Sequence, residues 1–164
     1  MGHSSEDIKV RFQWTFPIVF SRHNPNVLYA GGSRLFRSTN EGESWTMVGP
    51  EFSRADKRTM GASGGPITKD NTGVETYATV FTIAPSPHDG QTIWTGSDDG
   101  LVHVTRDGGK SWTWTGVTAN STADNLRPIV PIGDRFGTVI LWLRGTMRTY
   151  RDYDFEIVGC AEPR

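Results

Sequence analysis

The stretch "STNEGESW" (residues 38–45) decides the fold of this chain, because "TRDGGKSW" (residues 105–112) repeats it almost word for word. Each copy begins with a hydroxyl residue and has Asn or Asp two positions later. Gly follows two positions after that, and Trp ends the copy. We call these two stretches the first box and the second box. A phrase that recurs at such a distance indicates stacked copies of one supersecondary unit.

The repeat extends toward the N-terminus of each box. The stretch "FSRHNPNVLYAGG" (20–32) parallels "APSPHDGQTIWTGS" (84–97), and both are rich in β-branched and aromatic residues bounded by turn residues. Each copy therefore predicts four short strands, at about 11–20, 26–31, 34–39 and 44–49, and at about 76–84, 91–95, 101–106 and 111–117. Four antiparallel strands per repeat form the blade of a β-propeller. The predicted fold class is all-β, a propeller fragment of two four-stranded antiparallel blades plus a partial third.

The boxes have a structural explanation within such a blade. Each lies between the third and fourth strands, where a hydroxyl and an Asn or Asp oxygen can accept bonds from turn N–H groups and Gly tolerates positive φ. Each Trp should then be largely buried against its sheet. We therefore assign a structural role, and no chemistry, to Ser38, Asn40, Gly42, Trp45, Thr105, Asp107, Gly109 and Trp112.

Bulk composition excludes several classes of protein. The chain has 164 residues, enough for one domain, and a formal net charge of −1, which argues against a nucleic-acid partner. Cys160 is the single cysteine, so no intrachain disulfide is predicted. No apolar run predicts a membrane span, and the first ten residues have no apolar core of a signal peptide. No histidine pair has metal-ligand spacing, so neither a metal nor a cofactor is predicted.

The remaining sequence organises around the two repeats. We expect a disordered or artificially added N-terminus at 1–10, the first blade at 11–50, a long inter-blade loop at 51–75 and the second blade at 76–117. A polar linker at 118–125 then precedes a partial third blade at 126–164. In "TVILWLRG" both strand faces are mostly apolar, which predicts an inner strand buried between blades. Because two and a partial blade do not close a ring, a homo-oligomer or a place in a larger propeller is expected.

Three quoted stretches carry a resemblance to a known family. "SRHNPNVLYAGGSRLFRSTNEGESW", "SGGPITKDNTGVETYATVFTIAPSP" and "IWTGSDDGLVHVTRDGGKSW" resemble the sortilin-type BNR/Asp-box repeats of bacterial glycosyl hydrolase-like propellers, over about residues 10–115. The first box departs from the family pattern by having Asn40 where Asp is usual. The stretches "GDRFGTVILWLRG" and "TYRDYDFEIVG" resemble the last blade of another BNR-repeat group, which includes polysaccharide lyases.

This resemblance implies a glycan- or protein-binding propeller module from a glycosyl hydrolase-like parent, in an extracellular or periplasmic location. Two alternatives stay open: an active glycosidase or polysaccharide lyase that acts on an extracellular polysaccharide, and a purely structural or assembly role. The expected partners are a poly- or oligosaccharide, or a protein.

Two basic stretches are candidates for ligand binding. The long loop carries Lys57, Arg58 and Lys69 beside several glycines, a combination that suits an anion. Near the C-terminus Arg148 and Arg151 flank Tyr150, and guanidinium groups and aromatic rings both suit an acidic polysaccharide. In each case an ordered loop or a solvated hairpin is the competing interpretation.

Glycoside hydrolysis generally needs two carboxyl groups at a defined separation. The candidates are Glu75, Asp70, Asp98 and Asp99. Asp98 and Asp99 belong to the turn sequence "SDDG", where Asp is also favoured for conformational reasons.

Overall fold

The computed structural model describes residues 3–64, 71–114, 118, 120–131, 138–149 and 151–162. Within these residues the chain forms eleven β-strands and one short 3₁₀ helix, Lys57–Thr59. The strands, numbered in chain order, are β1 Ile18–Phe20, β2 Leu28–Gly31, β3 Leu35–Ser38, β4 Thr46–Val48, β5 Val80–Pro85, β6 Ile93–Ser97, β7 Val102–Thr105, β8 Thr113–Trp114, β9 Asp124–Ile129, β10 Thr138–Thr149 and β11 Asp152–Glu162.

The strands form three antiparallel sheets in simple up-and-down order. The first sheet is β1-β2-β3-β4, the second is β5-β6-β7-β8, and the third is β11-β10-β9. Each repeat therefore forms one four-stranded blade, and the predicted fold class of two blades plus a partial third is confirmed. We call the end that holds the β2–β3, β4–β5 and β6–β7 connections the upper end. The lower end holds both boxes.

The first strand is shorter than the sequence predicts. It starts at Ile18 rather than near residue 11, because residues 11–16 bond to loops of the upper end instead of to β2. Ser33 N–H donates to Arg11 O at 2.8 Å, and Trp14 N–H donates to Val74 O at 3.1 Å. The β-rich composition of this stretch therefore reflects extended chain outside the sheet.

The core lies between the first and second sheets. Tyr29 and Leu35 pack there against Val80, Ile83 and Ile93, with Phe52 from the β4–β5 connection. Glycine makes this close approach possible. A Cβ on Gly31 would lie 2.9 Å from Val80 Cγ1, closer than real Cβ contacts allow.

The third sheet packs on the second in the same way. Gly96 corresponds to Gly31 in the repeat, and a Cβ on Gly96 would lie 2.8 Å from Pro128 Cγ of β9. β9 thus packs on the Gly96 face of the second sheet, just as β5 packs on the Gly31 face of the first sheet. It begins at Asp124, inside the segment predicted as a linker.

The prediction that β10 is buried on both faces is wrong. Within "TVILWLRG" Ile140 is 3% exposed and lies on the face toward the second sheet, whereas the residues of the opposite face are only half-buried: Val139, Leu141 and Leu143. That opposite face has no further sheet against it within the described residues.

Residues 3–7, in the segment expected to be disordered or artificially added, contact the long connection and its neighbours. Ser4 and Ser5 are buried, Glu6 N–H donates to Met60 O at 3.1 Å, and Ser5 Oγ accepts from Tyr77 N–H at 3.2 Å. The segment is therefore fastened over the long β4–β5 connection.

Arg11 continues this attachment with a buried charge. Its guanidinium donates to Glu51 Oε1 at 2.5 Å and to Ala78 O at 3.0 Å. Arg11 therefore joins the beginning of the β4–β5 connection to its end. A buried guanidinium needs such a carboxylate partner, because an unpaired buried charge is costly.

Candidate functional site

In the first box the polar side chains bond within the turn. Ser38 Oγ accepts from Gly42 N–H at 2.9 Å, and Asn40 Oδ1 accepts from Ser44 N–H at 3.0 Å. Gly42 has φ +91°, which a residue with a side chain rarely adopts. The hydroxyl and the amide therefore shape the turn between β3 and β4.

The second box uses the same bonds. Thr105 Oγ1 accepts from Gly109 N–H at 2.9 Å, and Asp107 Oδ1 accepts from Ser111 N–H at 2.9 Å. Asp107 Oδ2 accepts from Ser111 Oγ as well. The hydrogen bonds from Ser111, followed by that from Thr105, hold the pKa of Asp107 well below its usual range. This carboxylate is ionised and engaged in its own turn.

The two box tryptophans differ in burial, so the prediction that both are largely buried is wrong for Trp45. Trp112 is half-buried and packs edge to face on Phe52, with ring centroids 4.6 Å apart. Trp45 packs over Gly42 but remains 42% exposed. The difference arises because Trp112 packs against Phe52 and Gly49, at the end of the first sheet. No described segment packs against Trp45 in the corresponding way.

The structure describes two of the three basic residues predicted to bind a ligand in the long loop, Lys57 and Arg58, and both lie in its 3₁₀ turn. Arg58 is exposed and pairs with Asp56, its neighbour in the 3₁₀ turn, and this bond lowers the pKa of Asp56 to about 2. Lys57 is exposed in the same turn. Lys69 lies outside the described residues.

Asp98 and Asp99 do lie at the upper end, each with its own partner. Asp98 Oδ1 accepts from Thr79 N–H and Oδ2 from Thr79 Oγ1, both at 3.0 Å. Burial raises the pKa of Asp98 to about 6, despite these bonds. Asp99 Oδ2 accepts from Arg54 N–H at 2.7 Å, and Arg54 Nε donates to Asp99 O at 3.1 Å. The turn therefore holds one carboxyl group with a raised pKa beside another that accepts from the backbone N–H of Arg54.

Arg54 belongs to a cleft that sequence analysis did not predict. The cleft lies between the second and third sheets, has a volume of about 110 Å³, and is bordered by Trp114, Trp142, Asn125 and Arg54. We call it the Trp114–Trp142 cleft. Trp114 is 63% exposed, whereas Trp142 is half-buried. Trp142 Nε1–H donates to Asn125 Oδ1 at 2.8 Å, and the Asn125 amide N–H₂ donates in turn to Ser121 Oγ at 2.9 Å.

The other predicted site residues lie elsewhere. Glu75 is exposed in the long connection and does not border the cleft. Arg148 forms a two-bond ion pair with Asp152 across the β10–β11 turn, at 2.9 Å for each bond. Arg151 lies in the same turn, where its N–H donates to Thr149 Oγ1. Asp70 and Tyr150 lie outside the described residues.

Neither a metal site nor a spanning helix is found in the described part of the chain. No three His, Cys, Asp or Glu side chains come together there as metal ligands would. None of its helices is long and apolar enough to cross a membrane.

Two solved structures resemble this chain weakly. The GH74 enzyme from Niastella koreensis has 16% sequence identity and a TM-score of 0.49, over 88% of this chain and 19% of that one. YCF48 from Cyanidioschyzon merolae has 12% identity and a TM-score of 0.27, over 99% of this chain and 59% of that one. No family model and no curated protein matches the chain. This chain spans about a fifth of the length of the GH74 enzyme. Its fold is assigned from its own strand order, register and packing.

Proposed function

We propose that this chain is a glycan-binding β-propeller module and that the Trp114–Trp142 cleft is its binding site. The observation that supports the proposal is the pair of tryptophans, one exposed and one fixed, beside the polar groups of Asn125 and Arg54. Ligand sites typically combine apolar and aromatic walls with a few placed polar groups. The sequence resemblance to glycosyl hydrolase-like repeats supports the same class of ligand, and an extracellular or periplasmic location.

The geometry suits a sugar ring. The indole of Trp142 is held by its bond to Asn125, so binding would not have to immobilise that ring. Trp114 presents an exposed aromatic face, on which the C–H groups of a pyranose can pack. Two bonds to Asp99 hold Arg54 in place: the Arg54 backbone N–H donates to Asp99 Oδ2, and Arg54 Nε donates to Asp99 O. The terminal N–H₂ groups of Arg54 are then available to the hydroxyl oxygens of a sugar.

A glycan array followed by titration calorimetry tests the proposal. Trp114→Ala should weaken the binding of any glycan found by at least about tenfold, the order expected when one stacked aromatic ring is lost. Trp14→Ala is the matched control, because Trp14 is 65% exposed and lies outside the cleft. Equal losses in the two variants, or no glycan bound by the parent chain, would reject this site.

A glycosidase is the second candidate, and the Asp98–Asp99 turn is the observation that favours it. Hydrolysis requires one carboxylic acid that keeps its proton and one carboxylate that stays charged. The pKa of about 6 for Asp98, raised chiefly by burial, suits the carboxylic acid, and the carboxyl group of Asp99 follows it directly in the same turn. The release of reducing ends from a glycan, lost in Asp98→Asn, would support hydrolysis. An unsaturated product would indicate a lyase, and binding without turnover supports the module.

A further inference from the structure

A second groove opens at the lower end, between the first and second sheets. It has a volume of about 330 Å³ and is bordered by Tyr29, Arg37, His23, Gln91 and Lys110, together with the turn that holds Asp107. We call it the Arg37 groove. Its volume is about three times that of the Trp114–Trp142 cleft. The Trp114–Trp142 cleft lies on the other side of the second sheet, so the two sites are separate.

Arg37 is the unusual residue of this groove. It lies on β3, paired with Tyr29 of β2 and Thr46 of β4, on the face that meets the second sheet. Its Nε is buried and has no hydrogen-bond partner, and no described carboxylate forms an ion pair with it. Arg11, at the upper end of the same interface, shows the usual solution, a bond to Glu51. Because this nitrogen is closed off from solvent, a ligand in the groove would meet the terminal N–H₂ groups of the guanidinium, which brings its positive charge to the groove wall.

The charges around the groove favour an anion. Lys110 adds a second cation, and the positive charge of Arg37 acts on the buried Tyr29, where it opposes the rise in pKa that burial causes. The one carboxylate at the groove, Asp107, already accepts from Lys110 N–H at 2.9 Å and from Ser111 and Thr105. These bonds within the second box leave the Arg37 guanidinium without a counterion among the described groups.

We propose that the Arg37 groove binds the carboxylate of a sugar acid. The planar guanidinium fork matches a carboxylate in two parallel hydrogen bonds. The neutral polar side chains around it, such as Gln91 and Asn24, suit the hydroxyls of the same sugar ring, and the groove is larger than an inorganic ion requires. This inference does not depend on the Trp114–Trp142 cleft.

Calorimetric titration with D-glucuronate, and with D-glucose as the uncharged match, tests this proposal. Glucuronate should bind and glucose should bind at least about tenfold more weakly, as expected for the loss of a charge-assisted pair of hydrogen bonds. Arg37→Met should abolish glucuronate binding. Arg34→Met is the matched control, because Arg34 has similar exposure in the same sheet but lies at the upper end, near Gly49 O. Polygalacturonate, compared with free D-galacturonate, then distinguishes a chain-borne carboxylate from a free acid. Loss of binding of either form in Arg37→Met supports the site.

Thermal unfolding without ligand separates this role from a structural one. If Arg37 serves a ligand, Arg37→Met should melt no earlier than the parent chain, since the substitution removes an unsatisfied buried group. A lower melting temperature for Arg37→Met would show that Arg37 supports the fold. Failure of both the free acids and polygalacturonate to bind, or equal affinity in parent and Arg37→Met, would overturn the proposal.

Discussion

Asp98 places a carboxyl group where the fold disfavours its charge. Both of its oxygens accept from Thr79, yet burial raises its pKa to about 6 from an ordinary value of 3.8. Below about pH 4 the group is neutral in both the folded and the unfolded chain. Between these two pKa values the unfolded chain loses the proton first, so the free energy of unfolding falls as pH rises toward 6 and then levels off.

Asp98→Asn should remove this pH dependence. An Asn side chain can still accept from Thr79 N–H, and its N–H₂ group can donate to Thr79 Oγ1, so the packing is kept. We expect the free energy of unfolding at pH 7 to rise by roughly 1–3 kcal/mol, with little change at pH 4. Urea unfolding of both proteins at pH 4 and pH 7 measures this. An identical decline with pH in both proteins would place the titration on another group.

The two box tryptophans should differ in stability as they differ in burial. Trp112→Ala removes a ring that packs on Phe52, and should cost about 2–4 kcal/mol. Trp45→Ala removes a ring that is 42% exposed, and should cost less than about 1 kcal/mol. Chemical unfolding curves of the two variants provide the comparison. A loss at Trp45 as large as that at Trp112 would mean that something covers Trp45 in solution.

At the scale of the elements, a single glycine sets the spacing between neighbouring sheets. Gly31 admits Val80 of the second sheet, and Gly96 admits Pro128 of the third. A glycine therefore permits close packing at both interfaces, although the sequence of β9 does not resemble that of β5. The third sheet packs on the second sheet where the next blade of a propeller would pack.

Gly96→Ala should disturb the interface with the third sheet. The added Cβ would lie 2.8 Å from Pro128 Cγ of β9 and 2.9 Å from Thr82 Cγ2 of β5, so at least one of these strands must move relative to β6. We expect a loss of about 1–3 kcal/mol, typical of an overpacked site. Gly61→Ala is the control, because no atom lies within 4 Å of a Cβ built there. If Gly96→Ala were as stable as Gly61→Ala, the sheets would not be packed this closely.

The boxes and the strand order could be predicted from sequence because they depend on local contacts. Ser38, Asn40 and Gly42 form their turn within five residues of one another, so the pattern alone specifies it. The exposure of Trp45 could not be predicted, since it depends on what lies against the first sheet. Nor could the Trp114–Trp142 cleft, because the packing of two sheets brings Trp114 and Trp142 together. Arg54 was missed because its partner, Asp99, lies in a distant turn.

At the scale of the whole molecule, both ends of the stack present open apolar faces. The first sheet exposes Ile18, Phe20, Trp45 and Met47 on the face away from the core, and the third sheet exposes Ile129, Met147, Tyr153 and Ile157 on its outer face. The described strands β9, β10 and β11 thus cover the second sheet but leave an open face of their own. Apolar surface of this kind typically marks an interface.

We therefore expect the isolated chain to self-associate at micromolar concentration. Sedimentation equilibrium should give a mass above that of one chain, rising with concentration. Phe20→Lys and Ile157→Lys, one on each face, should lower the apparent mass, since each places a charge on an apolar contact. A single monomeric mass at all concentrations, with a sharp cooperative melt, would contradict this expectation.

The attachment of the third sheet through its edge strand has a consequence for local opening. β9 is the strand that packs against β5 and β6, whereas β11 lies at the far edge of the same sheet. In a stack whose units touch only their neighbours, opening begins at the ends. Backbone amides of β11 should therefore exchange with deuterium well before those of β6, which lies within the second sheet between two covering sheets. The order of exchange would show that the molecule loosens by whole sheets, from the C-terminal end inward.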